Sequence, residues 1–290
     1  MKDYPKYGVA EPTGDYFGGT WTEEKIAIFI KYCHAFLAIM KNRSYKLIYF
    51  DGFAGSGEII PTNGVNPLES VALQVMAIDK PVSFDLYYLV ELQKSKVKSL
   101  ENLIIEKFPS KRSNTHIICE DCNSKIAALS AYLKKHSNYR ALAFLDPFGM
   151  SVDFKSLESF KQIGCDMWIL FPSGIGVNRM LMKREEAIPQ SWYAKLEKVM
   201  GMTAVEIKKH FYKINPQTSM FEDGFRLQKQ EDPINRIIEL YSIKLKTIWD
   251  HVSKPHAMKN SNGSIMFHFL LVSQNQTAVK VADDIVKKYK

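Results

Sequence analysis

The sequence predicts an α/β protein with a mostly parallel central sheet, and three observations predict it. Apolar runs of strand length recur at 46–51, 84–91, 115–121, 141–145 and 166–171, more continuous in hydrophobicity than a sheet with one wet face would need. Stretches with helical spacing separate several of them, the alternation that builds parallel crossovers. The first four runs stop on carboxylates, Asp51, Glu91, Asp121 and Asp146, where open α/β sheets collect their ligands.

Composition allows such a domain and excludes other classes. The chain has 290 residues, 46% hydrophobic and 24% charged, enough to bury a core and compatible with one α/β domain carrying a large insertion. No apolar run approaches the roughly 20 residues needed to span a bilayer. The start, Met1-Lys2-Asp3-Tyr4-Pro5, lacks the apolar centre of a secretion signal. Four cysteines do not make a disulfide framework, so a reducing cytoplasm is expected. A net charge of +8 favours a polyanionic partner.

In chain order, residues 1–20 form a Gly/Pro-rich polar lead. A helix is predicted from near Thr22, with Glu23 and Glu24 suiting its positive end and Ile26, Phe29, Ile30, Cys33, Phe36, Leu37 and Met40 on one face. The strand 46–51 then opens into Asp51-Gly52-Phe53-Ala54-Gly55-Ser56-Gly57. Glycines can take positive φ and let backbone N–H groups approach a ligand. Their G-x-x-G-x-G spacing is neither the G-x-G-x-x-G of dinucleotide folds nor a phosphate loop with Gly-Lys-Ser/Thr. It resembles the first motif of S-adenosylmethionine-dependent methyltransferases; the alternative is a glycine-rich surface turn. The next helix reads as capped by Asn66, with Pro67 in its first turn and Glu69 three residues after the cap.

Glu91 ends the second strand and is placed to accept both ribose hydroxyls of adenosylmethionine, or is a surface acid. Asp121 at the end of the third could accept from the adenine amino group; Asn123 is a rival for the following helix cap and Glu120 a rival for either role. The fourth strand ends in Asp146-Pro147-Phe148-Gly149, where proline fixes the chain direction. Amino-methyltransferases acting on bases use a related Asp/Asn-Pro-Pro-aromatic element, whose polar groups hold the amine while the aromatic stacks on the extruded base. Phe148 stands in place of the second proline. The alternative is a rigid turn that packs Phe148 into the core.

After the fifth strand the α/β rhythm stops. Residues 178–228 read as a helical insertion or cover, and residues 21–177 with 229–290 as the core domain. Lys183, Arg184, Lys208 and Lys209 in the insertion are candidates for nucleic-acid contact, against the alternative of a solvated face. A helix over 233–245, strands at 247–252 and 265–272 around a polar loop with Asn260, Asn262 and Gly263, and a helix over 278–289 complete the reading. Cys119 and Cys122 form a lone Cys-x-x-Cys with no second pair to complete a zinc site, so no metal is expected. No Gly-x-Ser-x-Gly elbow is present, which excludes the usual α/β-hydrolase arrangement.

Trp21-Thr22-Glu23-Glu24-Lys25, the segment Tyr49 to Gly57, Leu145-Asp146-Pro147-Phe148-Gly149 and Met266-Phe267-His268-Phe269-Leu270-Leu271-Val272 together resemble the bacterial three-Cys-motif partner protein family. That family is named for a neighbouring radical-SAM-like protein, so the cysteines here are not those of the name. The resemblance implies a Rossmann-like class I methyltransferase fold, with Asp51, Gly52, Gly55, Gly57, Asp146 and Pro147 matching its motifs. The expected function is adenosylmethionine-dependent methylation of a nucleic-acid base. The alternative is a non-catalytic partner that binds nucleic acid or the neighbouring protein.

Overall fold

The structure is a computed structural model that describes residues 20–59, 68–214 and 227–289. Helix α1 (Thr20–Met40) buries the predicted stripe of Ile26, Phe29, Cys33, Phe36 and Leu37, then hands the chain to β1 (Lys46–Asp51). A two-rung hairpin follows, β2 (Glu58–Ile59) with β3 (Leu68–Glu69), ahead of α2 (Val71–Met76). The cap of α2 is Ser70, whose hydroxyl accepts from Leu73 N, not the expected Asn66; Asn66 and Pro67 lie outside the described residues. Glu69, expected inside the helix, pairs instead with Glu58. Ser70 N also donates to Gly57 O at 2.8 Å, so the helix starts only after the glycine loop has closed.

The alternation continues through β4 (Leu86–Val90), α3 (Lys94–Lys107), β5 (Thr115–Ile118), α4 (Cys122–Lys135), β6 (Tyr139–Leu145), α5 (Phe154–Glu158) and β7 (Cys165–Phe171). Beyond β7 come a π-helical turn (Ser173–Val177), α6 (Asn178–Met180), α7 (Gln190–Met200) and α8 (Ala204–Phe211). Strands β8 (Tyr212–Ile214) and β9 (Leu227–Lys229) pair in a small antiparallel sheet that periodicity did not reveal. Then follow α9 (Pro233–Leu245), β10 (His251–Val252), β11 (His256–Lys259), β12 (Ile265–Ser273) and α10 (Gln276–Val286). The strand predicted at 247–252 shrinks to two residues, because Ile248 and Trp249 turn into the core behind α9. The polar loop is the tip of the β11–β12 hairpin: Asn260 Oδ1 accepts from Asn262 N and Ser264 N.

The main sheet runs β5-β4-β1-β6-β7-β12, and β10 and β11 both pair with β12 on its far side. The first five of these strands are parallel; β12 runs antiparallel to β7. The chain winds outward from β1 to β5, then returns to lay β6 on the other flank of β1. That reversal opens a crevice at the carboxyl ends of β1 and β6.

Helices cover both faces. Ile48, Phe50, Ala143 and Leu145 face a core closed by α4, α5, α9 and the α7–α8 segment. Leu47, Tyr49, Leu142 and Phe144 face the other, under α1, α2, α3 and α10. Strand residues alternate between two dry cores, which is why the runs read as continuous hydrophobicity. Each large side chain so buried contributes about 1.5–3 kcal/mol.

Candidate functional site

Strand β1 lies between β4 and β6, so its last residue opens into protein. Asp51 is 2% exposed, and its carboxylate accepts from Tyr49 Oη at 2.8 Å and from Phe53 N at 3.0 Å. Burial pushes its pKa up to about 7; the two hydrogen bonds pull the other way, Asp146 adds to the rise and Lys25 opposes it.

The three glycines do different things. Gly52 N donates to Phe144 O, and a Cβ there would meet Cys122 Sγ and Leu145 at 2.7 Å, so close packing requires this glycine. Gly57 has φ +98° and would press a Cβ to 2.7 Å from Leu103, so a Gly57→Val variant damages the loop itself and is no clean test of ligand binding. Gly55, at φ +68°, has open space around it and is where a ligand can approach the backbone.

Glu91 lies one residue past β4, half-buried at the same edge, with Oε1 accepting from Gln93 N at 2.8 Å. Its Oε2 has no hydrogen bond among the described residues. Asp121 lies beyond the end of β5, which stops at Ile118 and not at Asp121 as expected. Its Oδ2 accepts from Ser124 N at 3.1 Å, so Asp121 caps α4 and Asn123 does not. Its Oδ1 takes no part in the cap, and Glu120 is paired with Lys125.

Asp146 follows β6 on the face that α1 covers, and sequence reasoning missed its main partner. Lys25 is 4% exposed, and its Nζ forms an ion pair and hydrogen bond with Asp146 Oδ2. The ammonium also lies 5.1 Å from the ring centre of Trp21. The signal was present: Thr22 and Lys25 interrupt the apolar face with polar groups that must be buried if the helix docks. Pro147 is buried, whereas Phe148 is 46% exposed. The core-wedge alternative for Phe148 is thereby overturned. Pro147 and the buried Met150 and Val152 hold the loop down and leave that ring at the rim.

Further along the same edge, fully buried Ser173 Oγ lies 2.7 Å from His268 Nδ1. Burial, aided by His256, pushes the imidazole pKa down to about 4. Lys183, Arg184 and Lys209 are exposed. Lys208 is not a free cation as expected, because it pairs with Glu185 at 2.7 Å and lies over Tyr193. These basic groups are on the insertion, which joins the core under α5 and α9. Cys119 is exposed and Cys122 buried, and among the described residues no three His, Cys, Asp or Glu side chains converge as metal ligands.

A doubly wound sheet with one antiparallel strand beyond β7, and acids at the carboxyl ends around the reversal, defines a Rossmann-like fold of the class I methyltransferase type. No family model matches the sequence, and no curated protein does. Among solved structures, the DUF519-family protein LPL1258 from Legionella pneumophila is 15% identical, with 87% of this chain and 97% of that one covered at a TM-score of 0.39. Trm1 from Pyrococcus horikoshii, solved with S-adenosyl-L-methionine, is 12% identical over 94% and 73%, at 0.40. Spermidine synthase from Thermotoga maritima is 8% identical over 91% and 63%, at 0.41. Scores this low carry no argument about activity, and the fold class rests on the chain's own sheet order. No described helix is long and apolar enough to cross a membrane.

Proposed function

We propose that this protein is an S-adenosylmethionine-dependent methyltransferase acting on a nucleic-acid base. The observation that supports it best is the placement of Asp51, Glu91 and Asp146 at the carboxyl ends of the adjacent strands β1, β4 and β6, beside an open glycine turn and an exposed Phe148. Gly55 lets the backbone approach the methionine part of the cofactor, Glu91 offers a carboxylate oxygen to the ribose, and Asp121 Oδ1 serves the adenine side. Bound adenosylmethionine supplies a methyl group on a sulfonium that is already a good leaving group. The chain's remaining task is therefore placement and exclusion of water. Asp146, or the carbonyl of Pro147, orients the acceptor nitrogen, and Phe148 stacks on the base. Lys183, Arg184 and Lys209 attract the phosphate backbone.

A second reading is favoured by the Lys25–Asp146 pair. A carboxylate already neutralised by a buried lysine suits a scaffold as well as an acceptor site. Under this reading the chain is a non-catalytic three-Cys-motif partner protein that holds a nucleic acid or a radical-SAM-like neighbour. Calorimetry with adenosylmethionine, adenosylhomocysteine and NAD, followed by methyl transfer to total RNA, DNA and protein, separates the readings. Cofactor binding with transfer to nucleic acid supports the first; binding without transfer gives the lead to the second. NAD binding alone would sink the methyltransferase reading.

A further inference from the structure

We infer that Asn123 is a positioning residue that fixes the loop carrying Asp146, Pro147 and Phe148 against the loop carrying Asp121, an inference that rests on the methyl-transfer reading. Because Asp121 caps α4, the carboxamide of Asn123 is released for contacts across the crevice. Oδ1 accepts from Asp153 N at 2.8 Å and from Ser156 Oγ at 3.2 Å. Nδ2 donates to Ser151 O at 2.8 Å and approaches Asp121 Oδ1 at 3.5 Å. One planar group thus bonds two backbone groups of the 147–153 loop, one as acceptor and one as donor. A carboxylate cannot donate and an ammonium cannot accept, so the site demands an amide.

Besides these bonds and the Lys25–Asp146 pair at its start, the loop is held by apolar side chains, which set its depth. Met150 and Val152 are buried, while Gly149, at φ +64°, is a pivot beside the exposed ring of Phe148. The hydrogen bonds of Asn123 fix the direction in which the pivot points. They therefore set the distance between the aromatic platform and the adenine-side acid.

The test compares the parent with Asn123→Ala and Asn123→Asp. The measurements are amide hydrogen exchange, calorimetry with adenosylhomocysteine, and titration of a single-stranded oligonucleotide containing 2-aminopurine. In Asn123→Ala, exchange over 150–153 should rise about tenfold or more while β1 and β6 keep their protection. Oligonucleotide affinity should fall about tenfold, and adenosylhomocysteine affinity should change less than about threefold. Asn123→Asp keeps the acceptor for Asp153 N but sets a carboxylate oxygen against Ser151 O and Asp121 Oδ1, so it should lose at least as much as the alanine variant. If one variant does not fold, the other must show the same pattern. Unchanged exchange, unchanged oligonucleotide affinity, or an equal loss of protection throughout the sheet overturns the inference. A parent that binds neither ligand overturns the methyl-transfer reading instead, and the exchange comparison still decides whether Asn123 fixes the loop.

Discussion

On the cofactor side of the crevice each carboxylate is turned by its own next few residues: Asp51 accepts from Phe53 N, Glu91 from Gln93 N and Asp121 from Ser124 N. On the acceptor side the bonds join distant segments. Lys25 meets Asp146 across 121 residues, and Ser173 meets His268 across 95. Short turns in which an acid bonds a nearby N–H form wherever the local chain allows them. The one at Glu91 occupies one oxygen and leaves the other to a ligand, whereas the second oxygen of Asp121 also meets Asn123 Nδ2 at 3.5 Å. The distant bonds exist only in the finished fold and hold the groups they join in place. The cofactor side is thus built to receive, and the acceptor side is braced.

Variants can break that contrast. The largest effect is expected at the brace. Asp146→Ala strands a buried ammonium and should cost about 3–5 kcal/mol of stability, whether or not Asp146 takes part in catalysis. A Lys25→Met/Asp146→Ala double variant should recover much of that loss in melting experiments. A double variant as unstable as Asp146→Ala would show that the pair is not the brace. Turnover is best probed with Asp146→Asn, which keeps shape and one acceptor oxygen.

Next in size is Glu91→Ala, expected to weaken adenosylmethionine by about 2–3 kcal/mol, roughly 30- to 150-fold by calorimetry, with an unchanged melting temperature. Unaltered affinity would move the ribose elsewhere. Phe148→Ala should weaken a base-containing ligand by about 1–3 kcal/mol. Because the ring is 46% exposed, the stability loss should stay well below the about 3–5 kcal/mol of a core cavity, and a loss of that size would return Phe148 to a packing role.

Asp51→Asn sharpens the contrast through pH. The folded parent keeps a proton on Asp51 up to about pH 7, whereas the unfolded chain gives it up near 4. The parent's stability from this group is therefore present at low pH and lost as pH rises to 7. The variant's stability relative to the parent should rise over that window, by at most about 1.4 kcal/mol per pH unit, and level off above it. His268 acts oppositely in the parent, because its depressed pKa makes stability fall as pH drops from about 6.5 towards 4. A constant difference between variant and parent would show that Asp51 does not titrate there. The smallest effect concerns the insertion. Neutralising Lys183, Arg184 and Lys209 should flatten the salt dependence of duplex DNA binding, by up to about 0.9 for each phosphate they would otherwise neutralise. Lys208 belongs outside that set, because Glu185 already holds it. An unchanged slope would leave this surface as a solvated face.

The same contrast explains what could be read from the sequence. The strands and α1 were legible because two dry cores impose continuous apolar runs and a helical stripe. Asp51, Glu91 and Asp146 were legible because the apolar runs stop on them, whereas Asp121 lies three residues past the end of β5 and caps α4. The partner of Asp146 was not, since nothing near residue 146 specifies residue 25. The cap at Ser70 was missed because Asn66-Pro67 gives a strong local signal, which the pairing of Glu69 with Glu58 overrides. Strand β11 was missed because it is short and its register is dictated by β12. Asn123 was weighed as a cap, a local role that the neighbouring aspartate took.

Helix α1 is made long before the partners that complete it. Its Lys25 waits for Asp146, and its Glu24 for His256, 232 residues later. At 5–20 residues per second, synthesis of that interval takes roughly 10–50 s. During that time the apolar stripe from Ile26 to Leu37 lacks the β11–β12 hairpin, and for about the first half of it lacks the tip of β6 as well. A nascent chain of this protein therefore presents an unfinished hydrophobic surface on this helix, the kind of surface that chaperones at the ribosome exit hold.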